Sequence, residues 1–313
     1  MEYLVNTNLK GDLAWLNNRP IFASISGGKD STAMGLYLQE RGIKFTPIVF
    51  DTGFEHPETW KYIKEILEPL LGEFKYLRNN KYFKDELPML GGMEQAIFRK
   101  QIFPSAVRPY CTIELKVTPA LNFMSEVRAL YKAKPVNCVG VRAEESAKRS
   151  KLKITHEQDE CTTWRPILNL KESEVIQIHK RHKIQPNPLY LRGMRRVGCY
   201  PCIHSTKQEI RLLAEQEPER VEYLIDLESR VNKHFEHKEK KDPLTFFGPK
   251  RSKQRNTVSE VVEWSRTDRK GEEIDDVDRL ENQGCVTWGL CEPLIKSGDQ
   301  LELFQIEKRS KSV

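Results

Sequence analysis

Long apolar runs are missing from this sequence. No stretch approaches the roughly 20 consecutive apolar residues that a membrane-crossing helix requires, and residues 1–20 hold no apolar core of signal-peptide length. Both absences predict a cytoplasmic protein without a membrane partner. Cysteine is scarce and odd in number, seven in 313 residues, which argues against a disulfide framework and for thiols that bind metal or do chemistry. Internal repeats and low-complexity domains are also lacking, so a solenoid is excluded as the main architecture; residues 236–256 read as strongly charged and solvated, and Glu307–Val313 as a frayed end. Charge of one sign does not dominate: 51 basic residues against 45 acidic ones leave a net charge of +6. That balance permits anionic nucleotides or a nucleic-acid partner without establishing either. The length allows one large domain, or one domain with an appendage.

What is present centres on Ser26-Gly27-Gly28-Lys29-Asp30-Ser31-Thr32. An apolar run over 20–25 precedes it, and a helical pattern near 31–42, stopped by Gly42, follows. Two glycines let the backbone turn tightly and come close to an anion. Unpaired N–H groups at the helix start then face that anion, aided by the helix dipole. Ser26, Ser31 and Thr32 add hydroxyls, and Lys29 adds a positive charge. The four residues between glycines that a nucleotide P-loop needs are absent. The alternative is a turn that merely joins a strand to a helix.

Further elements read as alternating strands and helices. A second strand over 45–50 ends at Asp51-Thr52-Gly53, a helix covers about 58–71, and a third strand lies near 74–77. A helix is predicted around 93–99, a strand over 136–141 that delivers Arg142, and a helix near 172–183. A long helical pattern over 207–235 is bent or split at Pro218. The β-α-β-α-β order predicts a doubly wound, mostly parallel α/β sheet with ligands beyond the carboxyl ends of its strands. We expect a first domain over 1–205 and a mostly helical, charged extension over 206–313. The lead-in over 1–19 is expected to pack Leu13, Trp15 and Leu16 on the domain. Basic runs such as Lys250-Arg251-Ser252-Lys253 are read either as nucleic-acid contacts or as a solvated linker.

The Ser-Gly-Gly-Lys-Asp-Ser loop resembles the pyrophosphate (PP) loop of the ATP pyrophosphatase superfamily. Val141-Arg142-Ala143-Glu144-Glu145-Ser146, with Arg149 beyond, resembles the Arg-rich loop of its phosphoadenosine-phosphosulfate (PAPS) reductase-like branch, and three further segments point the same way. These are Asp51-Thr52-Gly53 with Pro57-Glu58-Thr59, Cys111 with Lys116-Val117-Thr118-Pro119, and Pro188-Leu189-Tyr190 leading to Gly198-Cys199-Tyr200-Pro201-Cys202. The resemblance covers about 20–205 and implies an adenine-nucleotide α-hydrolase-like fold. It implies ATP with Mg2+ as ligands. Ser26, Gly27, Gly28, Lys29, Asp30, Ser31, Thr32, Asp51, Thr52 and Gly53 would form the nucleotide site, with Arg142 and Arg149 gripping an anionic group. Lys29, Asp30, Lys116 and Arg142 would carry the chemistry, Lys116 facing the phosphates or the substrate. A solvated basic loop is the alternative for Arg149, and a capping turn for Asp51-Thr52-Gly53.

Cys-x-x-Cys alone is ambiguous among zinc, iron–sulfur and redox chemistry. The resemblance implies a [4Fe-4S] cluster on Cys111, Cys199 and Cys202, with structural Zn2+ as the alternative. Cys111 stands alone where the reductases carry adjacent cysteines, so a fourth ligand must come from elsewhere. Cys161 is the first choice, and Cys285 and Cys291 compete with it. Cys291 is also readable as a reactive thiol, and Cys138 as a core residue. The histidines His56, His179, His182, His204, His234 and His237 show no ligand spacing and are read as structural or exposed.

Three functions follow. The first is an ATP pyrophosphatase that adenylates a substrate for sulfur transfer, with DNA phosphorothioation or RNA thiolation as the family's examples. A cysteine desulfurase or another sulfur donor would then be its partner. The second is a sulfonucleotide reductase using a thiol. The third is a nucleotide-binding module with structural zinc. Reductases of this branch typically lack the loop lysine, so Lys29 favours ATP.

Overall fold

A computed structural model describes residues 3–84, 91–235, 243–247, 257–267 and 288. Six strands form one sheet: β1 Ile21–Ser24, β2 Thr46–Phe50, β3 Lys75–Leu77, β4 Val136–Val139, β5 Thr155–Glu157 and β6 Thr162–Trp164. Their order is β3-β2-β1-β4-β6-β5. The first five of that order are mutually parallel, and only β5 runs antiparallel, against β6. The doubly wound parallel sheet is therefore as the sequence predicts. The antiparallel edge strand is not: Thr155–Glu157 is fully exposed and polar, and carries no apolar alternation to announce it.

β1 is central because both its faces are apolar. Ile21, Phe22 and Ala23 are completely buried, and Ala23 pairs with Pro47 on one side and Cys138 on the other. One face is covered by helices Lys29–Glu40 and Glu172–Arg181 and by the helix over 57–71. The other is covered by helix Thr118–Tyr131, which sets Phe123, Met124 and Val127 against Phe22 and Ile48. Burying each such side chain contributes about 1.5–3 kcal/mol. The lead-in packs as expected. Leu16 is buried, Leu13 lies on the core, and Trp15 meets the edge of Trp164.

Two helices contain a wide π turn, and the same cause explains both. In the helix over 57–71 the turn is Ile63–Leu67, and in the helix over 110–131 it is Ile113–Val117. Pro69 and Pro119 follow these turns. A helical proline lacks an N–H and crowds the carbonyl four residues back, which falls at Glu65 and Leu115, inside each turn. Widening the turn lets the helix pass the proline. This explains why a helix across 110–131 was not apparent from the sequence.

The long pattern after residue 206 splits as expected, into Lys207–Gln216 and Pro218–His234, and a further helix covers Val258–Ser265. Thr206 and Glu209 cap the first by exchanging hydrogen bonds with each other's backbone N–H. These helices share one core with the earlier part of the chain. Leu213, Leu224, Leu227, Phe246 and Val261 pack with Phe54, Met93, Ile97, Phe103 and Leu115. The line drawn at residue 205 therefore crosses continuous packing. Within the later part, buried Glu228 ties the helix Pro218–His234 to two following segments, accepting the N–H groups of Phe246 at 2.6 Å and Val258 at 2.9 Å. The runs around Lys250, and Cys285 and Cys291, lie outside the described residues.

Candidate functional site

The Gly-rich turn leaves β1 at its carboxyl end and starts a helix at Lys29, with Gly28 as the cap residue. Gly27 has φ +74°, and a side chain there would meet Thr59 at 2.9 Å, so glycine is required twice over. Ser31 Oγ fixes the turn by accepting the Ser26 N–H at 3.1 Å and donating to the Gly28 carbonyl at 3.0 Å. Thr32 is fully buried. The first N–H groups of the helix lack intrahelical acceptors. One of them, on Lys29, donates to Tyr190 Oη at 3.0 Å. Tyr190 thus sits where the loop would meet an anion, with Lys29 Nζ 5.5 Å from its ring centre. Burial pushes the Tyr190 hydroxyl pKa upward, so it stays protonated. Asn187 donates to the Gly27 carbonyl and His179 Nε2 bonds the Lys29 carbonyl at 2.8 Å. On the far side, Trp288 packs edge-on to His179 and against Tyr190.

The charges of the loop form a network. Lys29 Nζ lies 3.3 Å from Asp30 and 3.2 Å from Glu172. Arg142, delivered by β4 and 3% exposed, donates through Nε to Asp30 and through Nη1 to Glu144. Gly140 makes this approach feasible, since a side chain there would come within 2.6 Å of Ser31 Cα. Arg149 is half-exposed and pairs with Glu145. The two arginines expected to grip an anion are thus engaged by carboxylates, Arg142 as a strut beneath the loop and Arg149 at the surface.

Asp51, Thr52 and Gly53 follow β2 on the same edge of the sheet. Asp51 Oδ1 accepts the Gly53 N–H at 2.9 Å. Glu55, which sequence reasoning passed over, organises the turn by accepting from Thr52 N at 3.0 Å and Thr52 Oγ1 at 2.5 Å. Burial raises the Glu55 pKa, and Lys116 opposes the rise.

The Cys-x-x-Cys segment is stitched to this turn. His56 N donates to the Gly198 carbonyl at 3.1 Å and Tyr200 N to the Phe54 carbonyl at 2.8 Å. Lys116 Nζ then lies 4.0 Å from Cys199 Sγ. Cys111, Cys199 and Cys202 surround Lys116 closely enough that the thiols and Glu55 raise its pKa, Cys199 most. Burial in turn pushes the Cys199 thiol up to about 11 against the pull of Lys116. Lys116, expected to face the phosphates or the substrate, lies beside the thiols and the Glu55 carboxylate.

Cys161 is also corrected. It precedes β6, at the amino end of the sheet, fully buried among Phe22, Ile48, Phe123 and Met124. The cysteine trio lies beyond the opposite edge, so Cys161 is a core thiol. Cys138 is a core thiol as well. Among the described residues no group of three or more His, Cys, Asp or Glu side chains is disposed to hold a single metal ion. The three thiols around a cation remain a soft donor set in chemical type. Of the histidines, His56 caps the helix at Pro57 and bonds Glu217, and His182 pairs with Glu40, while His237 lies outside the described residues.

Comparison with known proteins gives the following. Residues 20–205 match the phosphoadenosine phosphosulfate reductase domain. An uncharacterized 37.8 kDa protein of Escherichia phage 186 is 31% identical, across 80% of this chain and 90% of its own length. A phosphoadenosine 5'-phosphosulfate reductase of Citrobacter koseri is 26% identical, across 68% of this chain and 83% of its own length. Among solved structures, a phosphoadenylyl-sulfate reductase from Candida auris aligns with a TM-score of 0.42 at 14% identity, covering 59% of this chain and 82% of that one.

Proposed function

The chain belongs to the phosphoadenosine phosphosulfate reductase domain family, and from that premise we propose that it is an ATP pyrophosphatase that adenylates an acceptor for sulfur transfer. The observation that carries this reading is Lys29. Its ammonium is largely shielded from water, held between Asp30 and Glu172 over the Tyr190 ring, at the start of the loop helix. A cation so placed matches the β- and γ-phosphates, which a sulfonucleotide lacks.

In this reading the helix N–H groups and Lys29 take the phosphate oxygens as Tyr190 swings off the Lys29 N–H. An acceptor oxygen attacks the α-phosphorus, the bond from the α-phosphorus to the bridging oxygen breaks, and pyrophosphate leaves with the electron pair. The acceptor oxygen then departs with AMP when a sulfur nucleophile replaces it. Magnesium accompanying ATP would neutralise charge on the phosphates. Arg142 keeps Asp30 and the helix start in register while the phosphates bind.

Cys111, Cys199 and Cys202 would hold an iron–sulfur cluster, with Lys116 offsetting the negative charge of the thiolates. Such a cluster would bind or deliver sulfur. The acceptor in this reading is nucleic acid, DNA or RNA, and the sulfur source a desulfurase-type donor. The alternative reaction, reduction of a sulfonucleotide by a thiol, is favoured by the reductase name of the Citrobacter koseri relative. The test is pyrophosphate release from ATP by the wild type and by Lys29→Ala. Loss of release in a folded variant supports the reading. Normal release by that variant, or thiol-dependent turnover of a sulfonucleotide without ATP turnover, overturns it.

A further inference from the structure

A second polar hollow lies outside the loop just described. It is a cavity of about 330 Å³ at the carboxyl end of β3, walled by the segment over 75–81 and by the helix that carries Pro119, Asn122 and Glu126. Lys75, Arg78 and Lys81 line it, against Glu126 as the one carboxylate among its lining residues. Among the described residues none of the three makes a direct ion pair with a carboxylate, and Lys81 acts on Glu114 only through its field. Arg78 instead donates to Asn80 Oδ1 at 3.2 Å and lies over the Phe83 ring, and Lys81 lies over Tyr82. Elsewhere in the molecule Lys100, Lys134, Arg181 and Arg230 are each matched to a glutamate. Three cations without a direct ion pair among the described residues therefore line one hollow, apart from the surface pattern. Arg78 is also held in place by neutral partners, which leaves its charge unspent and its fork oriented.

The location ties this hollow to the site. β3 abuts β2, with the Asp51 N–H donating to the Leu77 carbonyl at 2.8 Å. Asn79 Nδ2 donates to the Glu114 carbonyl at 2.8 Å, inside the π turn that carries Lys116. Pro119 is one turn further along the same helix. The hollow thus lies on the carboxyl edge shared by the loop and the Asp51 turn, beside the helix that presents Cys111 and Lys116.

We infer that this cavity binds a phosphoryl group of a second ligand, held by Lys75, Arg78 and Lys81 while the adenine nucleotide occupies the Ser26–Ser31 loop. Its volume is at the lower end of the range for small-ligand pockets, so it takes one phosphorylated unit rather than a duplex. The phosphoryl group belongs either to a single-stranded nucleic acid or to a small free phosphate. Only the role of that strand as the sulfur acceptor rests on the function proposed above; the binding does not.

The test uses full-length protein, wild type and Lys75→Gln/Arg78→Gln, with Lys134→Gln as the control for charge removed elsewhere. Two probes are titrated with the loop saturated by a non-hydrolysable ATP analogue: a short fluorescein-labelled single-stranded oligonucleotide, and inorganic pyrophosphate. The double variant should bind the oligonucleotide about tenfold more weakly or worse, with a salt slope reduced by about 0.7 per lost phosphate contact. Lys134→Gln should match wild type. Weakening of pyrophosphate alone assigns the cavity to a small free phosphate. Unchanged affinity for both probes in a variant with wild-type circular dichroism overturns the inference, and Lys81→Gln repeats the test should the double variant unfold. Wild-type protein that binds the oligonucleotide through this cavity but never turns over ATP would refute the pyrophosphatase reading and leave the cavity standing.

Discussion

Gly140→Ala should damage nucleotide binding without touching a group that contacts the nucleotide. The added methyl would lie 2.6 Å from Ser31 Cα, 2.8 Å from Ser31 N and 2.9 Å from the Asp30 carbonyl oxygen. All three are backbone atoms, so no rotamer change relieves the clash. Either β4 retreats, or the start of helix Lys29–Glu40 does. Overpacking of this kind costs about 1–3 kcal/mol, which in a chain of 313 residues lowers Tm by about 1.5–5 °C. The same displacement moves Asp30 relative to Arg142 and tilts the N–H groups of the loop. Losing one charge-assisted hydrogen bond to a phosphate removes about 1.5–3 kcal/mol, so affinity should fall roughly 10- to 100-fold. Gly42→Ala is the comparison. Gly42 has φ +65° with open space around it, and a side chain there costs only the left-handed conformation, about 1–2 kcal/mol. Thermal melts and calorimetric titration of an ATP analogue separate the two. A Gly140→Ala protein with wild-type nucleotide affinity would refute the proposed role of this close approach.

The other predictions concern the thiols, one histidine and one buried carboxylate. After anaerobic purification, Cys199→Ser and Cys202→Ser should lose iron and sulfide, whereas Cys161→Ser should keep both; full occupancy in the first two removes them as ligands. Burial holds the His179 pKa below its usual value. Below about pH 6.5 the unfolded chain therefore takes up a proton that the folded one resists, and stability falls as pH drops through that window. His179→Gln should flatten the Tm-versus-pH curve between pH 7 and the lower pKa, and an unchanged slope would sink the assignment. Glu228→Ala leaves the Phe246 and Val258 N–H groups without their acceptor, at a cost of roughly 2–4 kcal/mol. Hydrogen exchange over 257–267 should accelerate, and unaltered protection there would contradict the account.

Legibility followed the range of the interactions. The loop was readable because its features are local: a buried strand, two glycines and a helix start within a dozen residues. The parallel sheet was readable from alternating apolar runs for the same reason. What escaped depends on contacts distant in sequence. Tyr190 lies 161 residues from Lys29, and nothing near either position announces that bond. Lys116 was read beside a Val-Thr-Pro motif, yet its direction is set by Cys199 and Glu55 across the fold. Glu55 had a signal that could have found it, an acidic residue three positions after Thr52, the spacing of a side chain folding back on a turn. Cys161 precedes a three-residue strand, Thr162–Trp164, too short for its alternation to mark the strand in sequence, and it is this strand that sets the thiol at the end away from Cys199 and Cys202.

The family match stops at residue 205, but Arg220 does not respect that border. Its guanidinium lies between the rings of Phe54, Tyr200 and Tyr223, 4.3–4.6 Å from each centre, and donates to the Tyr200 carbonyl. A gene truncated after codon 205 would therefore encode a polypeptide with a raw apolar flank, beside the very turn that carries the cysteine pair. Recombination between relatives is constrained in the same way. A tail exchanged without its matching Phe54 and Tyr200 would arrive with a cation caged by Tyr223 alone, so the two halves of the reading frame are expected to be inherited together.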